Sequence, residues 1–348
     1  MEQLVTLDFE TYYSSTYGLT KQTTEEYIRH PEFQVIGVAV KINDEKINFH
    51  TGTHQEIQAA LDNIDWRVSG LVCHNTLFDG AILAWIFKII PTFYFDTLSI
   101  ARALHGTNAG GSLKALAERY YLGKKGTEVL DAKGKRLEDF TPSELSAYAS
   151  YCINDVQITF DLFGIIAPKF PESEHQLIDI TLRMFIEPQL RVDDALLIER
   201  LQEVRDEKAL MLEGLMARLE CDTNEAVRKK LASNKQFAEL LEELGVSCPM
   251  KESPTTGKQA PALAKTDEGF IALQQHEDPL IQELCAVRLG TKSTIEESRI
   301  ERFIDIGSRN KGWLPIPLRY YGAHTGRWAG SEKVNFQNLP SRDAKKKA

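Results

Sequence analysis

The chain has 348 residues, of which 43% are hydrophobic and 26% are charged, and its formal net charge is −9. This is the composition of an ordinary globular protein, and the length predicts about two domains. No apolar stretch is long enough to cross a bilayer, and the start of the chain lacks the segments of a signal peptide. The five cysteines are scattered without a C-x-x-C pair, which favours a reducing compartment over a disulfide framework or a zinc site.

The acidic total is unevenly distributed along the chain. Residues 311–348 carry eight Lys/Arg against Glu332 and Asp343, a local balance of +6, and residues 124–136 carry five against Glu128 and Asp131, a balance of +3. Phosphate binding depends on such local patches rather than on the total charge. The net charge therefore does not exclude nucleic-acid binding, although solvated surface runs have the same composition.

The first half of the chain mixes strand and helix patterns. Strands are predicted at residues 4–9, 33–42, 46–50, 70–74 and 93–95, and helices at 54–63, 77–89, 97–105, 112–121 and 142–167. Short turns between the first three strands predict an antiparallel meander. One sheet flanked by these helices gives an α/β architecture.

The segment Pro168–Pro171 ends this mixed pattern. Helical periodicity follows over 172–218, 224–245 and 267–303, with a join between two helices near 188–193 and an exposed loop at 248–264. The second half is therefore predicted to be mainly helical and elongated.

Asp8 and Glu10 lie two residues apart on the first predicted strand. The strand period of two places both carboxylates on one face, opposite Leu7 and Phe9. Carboxylates on a core-forming strand need a counter-charge, and Mg²⁺ prefers one or two carboxylates together with phosphate oxygens. On its own, the pair also fits a surface strand with solvated acids.

Two further acidic motifs open or occupy predicted helices. Asp79 lies in the first turn of its helix, where an acid also suits the helix dipole, and Asn75 is placed to cap that helix. Tyr151 and Asp155 are four residues apart on a helix and share a face, which also fits a core tyrosine beside a surface aspartate. The combination is more specific than its parts: D-x-E on a strand, N-x-x-F-D at a helix start and Y-x-x-x-D on a later helix.

This combination resembles the DEDDy class of 3′→5′ exonucleases, in particular the proofreading domain of family A DNA polymerases. Phe95–Thr97 and Gly111–Leu116 are similar to further segments of that family. The resemblance implies a ribonuclease H-like mixed sheet flanked by helices over residues 1–170.

The resemblance also implies two divalent metal ions, Mg²⁺ or Mn²⁺, about 4 Å apart. By this resemblance Asp8 bridges both ions, Glu10 and Asp155 complete one site, and Asp79 holds the other. One ion activates a water that the Tyr151 hydroxyl orients, and the second stabilises the leaving 3′ oxygen. The residues implied to contact the terminal bases and sugar of DNA are Phe9, Asn75, Leu77 and Phe78.

The second half resembles the same polymerases. Segments similar to the thumb, expected over residues 171–310, are Gln189–Asp193, Ser233–Gln236, Pro254–Lys258 and Arg288–Thr294. The T-G-R … Q-N-L-P signature of phage-type enzymes, which leads into the palm, is similar to His324–Arg327 and Asn335–Pro340. The start of this palm-ward segment is expected over residues 311–348. This implies that Arg327 grips a DNA phosphate and that Gln337 and Asn338 reach minor-groove base edges of primer–template DNA.

Because the chain ends at Ala348, where a palm would begin, we expect no polymerase activity from it alone and expect a palm and fingers part as a possible partner. The resemblance implies a metal-dependent 3′→5′ exonuclease for single-stranded or frayed DNA 3′ ends, in a bacterial or phage-infected cytoplasm. Two alternatives stay open. One is a DNA-binding fragment with a silent exonuclease site, and the other is an RNA-trimming enzyme of the same superfamily, against which the T-G-R … Q-N-L-P region argues.

Overall fold

The computed structural model describes residues 2–124, 126, 132–253 and 255–339. Parts of both basic runs, including Lys125 and Lys345–Lys347, lie outside the described residues, as do Pro254 and Pro340. The chain divides into two compact units, Met1–Arg191 with Arg309–Ala348, and Val192–Ser308. In the described part of the chain, no helix is long and apolar enough to span a membrane.

A five-stranded mixed sheet forms the centre of the first unit. Its strands are β1 (Gln3–Thr11), β2 (Val35–Ile42), β3 (Asn48–Thr51), β4 (Ser69–Cys73) and β5 (Phe93–Asp96), in the order β3-β2-β1-β4-β5. The first three strands pair antiparallel, as the meander predicts, while β4 pairs parallel with both β1 and β5. The predicted mixed α/β architecture is confirmed.

Helices flank this sheet, and several begin at a threonine followed three residues later by a glutamate. The helices are α1 (Thr24–Ile28), α2 (His54–Asp62), α3 (Thr76–Trp85), α4 (Thr97–His105), α5 (Leu113–Tyr120), α6 (Pro142–Ile166) and α7 (Glu172–Ile186). Reciprocal Thr–Glu capping boxes open α1, α2 and α6, so side chains satisfy N–H groups that the helix itself leaves unpaired. Helix α1 was not predicted, and α3 ends at Trp85 rather than at the expected Ile89.

Helix α7 packs with the sheet. Its residues Ile178, Leu182 and Phe185 are buried in the core of the first unit. Gly80 on α3 lies so close to α7 that a Cβ there would come within 2.7 Å of Ile186 Cδ1. The first compact unit includes α7 and extends to Arg191, while the boundary of the exonuclease domain expected at residue 170 stays a prediction.

The segment after the second unit also packs with the first unit. A two-residue strand at Trp313–Leu314 pairs with Leu190–Arg191, and Arg309 forms a bidentate ion pair with the buried Glu25 on α1, with a shortest distance of 2.8 Å. The described part of residues 311–348 thus belongs to the first unit, and its assignment as the start of a palm-ward segment stays a prediction.

The second unit is mainly helical, as predicted. Its helices are α8 (Asp194–Met216), α9 (Asn224–Ala232), α10 (Asn234–Glu243), α11 (Glu268–Gln274), α12 (Pro279–Lys292) and α13 (Ile295–Arg309). The predicted helix 224–245 is split at Ser233, whose hydroxyl caps α10, and the predicted helix 267–303 is three helices, one of which starts at Pro279. The predicted loop 248–264 contains a small hairpin, Met250–Glu252 with Gln259–Pro261.

Candidate active site

The carboxylates of Asp8 and Glu10 lie on the face of β1 that meets α6. The Tyr148 hydroxyl donates a hydrogen bond to Glu10 Oε2 at 2.6 Å, and the Cys152 thiol lies 3.4 Å from the Asp8 carbonyl oxygen and 3.8 Å from Asp8 Oδ2. Because Tyr148 and Cys152 are four residues apart, they project from one face of α6. The two acids of the D-x-E motif therefore point together into the space between strand and helix.

The first turn of α3 brings Asp79 to the same strand. Asp79 Oδ1 accepts a hydrogen bond from the backbone N–H of Phe9 at 3.0 Å, and the side chain is only 2% exposed. Burial raises the pKa of Asp79 well above its ordinary value, and the negative charges of Asp8 and Glu10 raise it further. Asp79 thus lies within electrostatic reach of both β1 acids.

Helix α6 supplies Tyr151 and Asp155, both of which are buried. Burial raises the pKa of Tyr151 far above its ordinary value, and the negative charges of Asp155, Glu10 and Asp8 add to the effect. The Tyr151 hydroxyl therefore stays protonated at neutral pH, where it can donate a hydrogen bond but cannot act as a base. The structure brings these two residues together with the three other predicted acids.

Cys152 also lines this site, which we did not predict. Its thiol and the carboxylates of Asp8 and Glu10 lie within 4.8 Å of one another. Burial raises the pKa of Cys152 well above its ordinary value, and the charges of Asp8 and Glu10 add to this. The thiolate rather than the thiol binds metals, and Mg²⁺ prefers oxygen ligands. We therefore interpret Cys152 as a residue that lines the site rather than as a metal ligand.

The start of α3 is fixed by Asp96. Asn75 occupies the N-cap position with φ of 78°, but within the described part of the chain its side chain makes no capping hydrogen bond, contrary to our prediction. Asp96 Oδ1 instead accepts from the N–H groups of Asn75 at 2.9 Å and Thr76 at 3.1 Å. The same carboxylate accepts from Leu98 and Ser99 at the start of α4, so one buried acid caps two helices.

The predicted DNA contacts of the N-terminal domain fall into two groups. The Phe9 residue is 4% exposed, and its ring stacks on Phe87 with centroids 5.5 Å apart; its contact with a DNA base stays a prediction. Asn75 is exposed, and Leu77 and Phe78 are partly exposed on the first turn of α3. These last three are accessible to a bound strand.

Two grooves open beside Asn75. One has a volume of about 320 Å³ and includes Leu77, and the other has a volume of about 900 Å³ and includes Lys114; the walls of both contain Asn75, Arg102 and Arg319. Burial lowers the pKa of Arg102, while Asp96 opposes this effect and Arg319 adds to it. Two neighbouring guanidinium groups therefore border both grooves. Neither arginine was singled out from the sequence, because isolated arginines carry no spacing signal.

The residues predicted to hold primer–template DNA lie on the segment that returns to the first unit. Arg327 is exposed, and its Nε donates to Thr325 Oγ1 at 3.2 Å. Gln337 and Asn338 are exposed on a single 3₁₀ turn, Phe336–Asn338. All three side chains are accessible to solvent.

A solved polymerase structure shares this fold. The POL domain of Pol1 from M. smegmatis, in complex with DNA primer-template and dNTP, is similar over 99% of this chain and 53% of that chain, with a TM-score of 0.61 and 15% identity. The present chain thus spans about half the length of that structure. Two structures of Brucella melitensis NrnC, one of them with bound Mg²⁺, match 51% of this chain and 81% of theirs, at TM-scores of 0.37 and 0.39 and identities of 16% and 15%.

At the sequence level, no curated protein matches the chain. Residues 2–171 match the family model of the 3′-5′ exonuclease domain of the DNA polymerase A type. This range contains the five-stranded sheet and every residue of the acidic site. The chain therefore contains, at residues 2–171, a 3′-5′ exonuclease domain of the DNA polymerase A type.

Proposed function

We propose that this chain is a divalent-metal-dependent 3′→5′ exonuclease that removes nucleotides from single-stranded or frayed DNA 3′ ends, as the editing part of a family A DNA polymerase. One observation carries the proposal: Asp8, Glu10, Asp79 and Asp155, from one strand and two helices, gather within a domain of an exonuclease family.

The donor set of the site fits Mg²⁺ or Mn²⁺. Four carboxylates offer the hard oxygen ligands that these ions prefer. Burial and the charges of Asp8 and Glu10 raise the pKa of Asp79, so the site concentrates negative charge that a cation would relieve. We assign two ions to these four acids; when bound, they would polarise a water molecule and stabilise the charge on the leaving oxygen.

The protein groups have their own roles in this scheme. The protonated Tyr151 hydroxyl orients the attacking water, and the hydrogen bond from Phe9 N–H keeps the Asp79 carboxylate in place. Water attacks the terminal phosphorus, the P–O3′ bond breaks, and a 5′-mononucleotide leaves a strand that ends in a 3′ hydroxyl. Each cycle shortens the strand by one nucleotide.

Accessible side chains near the site would hold the end of the strand. The partly exposed Phe78, which packs against Tyr27 with ring centroids 6.0 Å apart, offers a ring for base stacking. Asn75 and Leu77 lie beside it, and Arg102 with Arg319 offers positive charge to the phosphates further along the strand.

We also propose that the C-terminal segment binds the primer–template duplex. Its exposed residues Arg327, Gln337 and Asn338 combine a phosphate-binding guanidinium with two amides that can bond base edges. The similarity of fold to a polymerase domain whose structure contains primer-template DNA supports this proposal.

The test is release of mononucleotides from an end-labelled single-stranded DNA, with Mg²⁺, with Mn²⁺, or with a chelator. Asp8→Ala and Asp155→Ala are expected to abolish cleavage while DNA binding, measured by fluorescence anisotropy, survives. Asp65→Asn, an exposed acid that is paired with Arg67, is the matched control. Cleavage at the wild-type rate by Asp8→Ala would falsify the assignment.

The same assay separates the two alternatives. A wild-type chain that binds DNA but releases no mononucleotide with either ion is a binding fragment with a silent site. Faster trimming of an RNA oligonucleotide than of the matched DNA identifies an RNA-processing enzyme.

A further inference from the structure

Tyr148 contacts two members of the proposed catalytic site. Its hydroxyl donates to Glu10 Oε2 at 2.6 Å, and its ring stacks on Tyr151 with centroids 6.3 Å apart and planes within 7° of each other. The side chain is 2% exposed. A single buried residue therefore connects a proposed metal ligand to the proposed water-orienting tyrosine.

A second ring also packs against Tyr148. Phe140 stacks on it with centroids 5.4 Å apart and planes within 17°. The Lys135 ammonium lies 5.7 Å from the Phe140 ring and forms a 2.6 Å ion pair with Glu144. Because two nearly parallel rings pack against the buried Tyr148 ring, packing restricts the direction of its hydroxyl group.

The Tyr148 hydroxyl group is the donor of this hydrogen bond, and Glu10 Oε2 is the acceptor. The 2.6 Å distance is that of a charge-assisted O–H···O⁻ hydrogen bond. Such a bond fixes the position of the Glu10 carboxylate relative to α6.

We infer that Tyr148 is a positioning residue of the proposed nuclease site: its hydroxyl group holds the Glu10 carboxylate in one orientation for a divalent cation. The inference rests on the proposed function, because it takes Glu10 to be a metal ligand. Hydrogen-bond partners that orient metal ligands typically change metal affinity about 10–100-fold when they are removed. Tyr148 therefore acts on cation binding rather than on the strand.

The test measures Mn²⁺ binding without DNA, by isothermal titration calorimetry, alongside cleavage as a function of Mn²⁺ concentration. Tyr148→Phe keeps the stacked ring and removes the hydroxyl group. We expect Mn²⁺ affinity to fall about tenfold, the cleavage rate to recover at high Mn²⁺, and KM for DNA to stay unchanged. Tyr120→Phe, which removes the hydroxyl group bonded to His105, is the matched control and should change none of these.

Wild-type Mn²⁺ affinity in Tyr148→Phe overturns the inference, as does a loss of cleavage that high Mn²⁺ does not restore. If Tyr148→Phe is less stable, its Mn²⁺ affinity is calculated for the folded fraction, which circular dichroism measures. A corrected affinity equal to that of the wild type also overturns the inference. Because binding is measured without substrate, a wild-type chain that binds Mn²⁺ but cuts no strand refutes the proposed function while the role of Tyr148 is still decided.

Discussion

The backbone N–H of Phe9 donates a hydrogen bond to Asp79, 70 residues further along the chain. This bond joins the first turn of α3 to the strand that carries Asp8 and Glu10. The bond helps to hold these acids near one another, and their mutual repulsion is a cost that folding must overcome. A variant that removes the charge of Asp79 but keeps its hydrogen bond with the Phe9 N–H would measure the free energy of this repulsion.

Asp79→Asn keeps an acceptor oxygen for the Phe9 N–H and removes the charge. Because the pKa of Asp79 is raised on folding, the folded protein binds more protons than the unfolded chain, and wild-type stability falls as the pH rises from about 3.9 towards the folded pKa. Each unit of upward shift costs about 1.4 kcal/mol above that range. In chelator, we expect the variant to be more stable than the wild type at neutral pH, and its stability to depend less on pH. With Mg²⁺ present, we expect the variant to be inactive.

Thermal unfolding across the acidic and neutral range measures this difference. Excess Mg²⁺ should reduce the difference in stability between the variant and the wild type, because it should stabilise only the wild type. A variant that melts below the wild type at neutral pH in chelator would show that repulsion among the acids is not significant.

Tyr151→Phe should slow cleavage without abolishing it. The variant loses one hydrogen bond to the attacking water, which is worth about 1.4 kcal/mol, or about tenfold in rate. Because burial and the surrounding acids keep the hydroxyl group protonated, the pH–rate profile around neutrality should keep its shape. Single-turnover rates at several pH values check this, and a loss as complete as that of Asp8→Ala would give Tyr151 a larger role.

Replacing the groove arginines should weaken strand binding more than chemistry. Arg319→Gln is expected to raise KM for single-stranded DNA with kcat nearly unchanged. It should also reduce the slope of log affinity against log salt by about 0.7 for each lost phosphate contact. Arg67→Gln is the control, since Arg67 is exposed and pairs with Asp65. An unchanged salt slope would remove Arg319 from the path of the strand.

Asp96→Ala should be strongly destabilising because it removes the acceptor of two helix starts at once. We expect a loss of about 2–4 kcal/mol, since buried N–H groups are left without an acceptor. Ser112→Ala, which removes the single cap of α5 bonded to the Ala115 N–H, should cost about 1 kcal/mol. Urea unfolding measures both, and equal losses in the two variants would contradict the double-capping account.

Local patterns were sufficient to predict the five strands, the antiparallel pairing of the first three, and the orientation of the first acids. Alternation along β1 placed Asp8 and Glu10 on one face because the period of a strand does not depend on the rest of the fold. Capping could not be predicted in the same way. The acceptor for the Asn75 N–H is Asp96, 21 residues away, and only the pairing of β4 with β5 brings it there.

The residues around the acids were predictable only in part. Tyr148 precedes Tyr151 by three residues and so shares its helix face, but this spacing does not reveal that its hydroxyl group meets Glu10. Similarly, the apolar periodicity of residues 172–186 predicted a helix without showing which core it joins. Side-chain packing across long sequence separations decides both points.

The packing of α7 against α3 sets a lower limit on the length of a fragment that keeps the acidic site intact. Gly80 adjoins Asp79 and lies against Ile186, whose carbonyl oxygen also accepts a 2.7 Å hydrogen bond from Trp85 Nε1. A fragment that ended at residue 171, where the family match ends, would lack α7, which packs against the helix that carries Asp79. A fragment prepared to study this site should therefore end beyond Ile186.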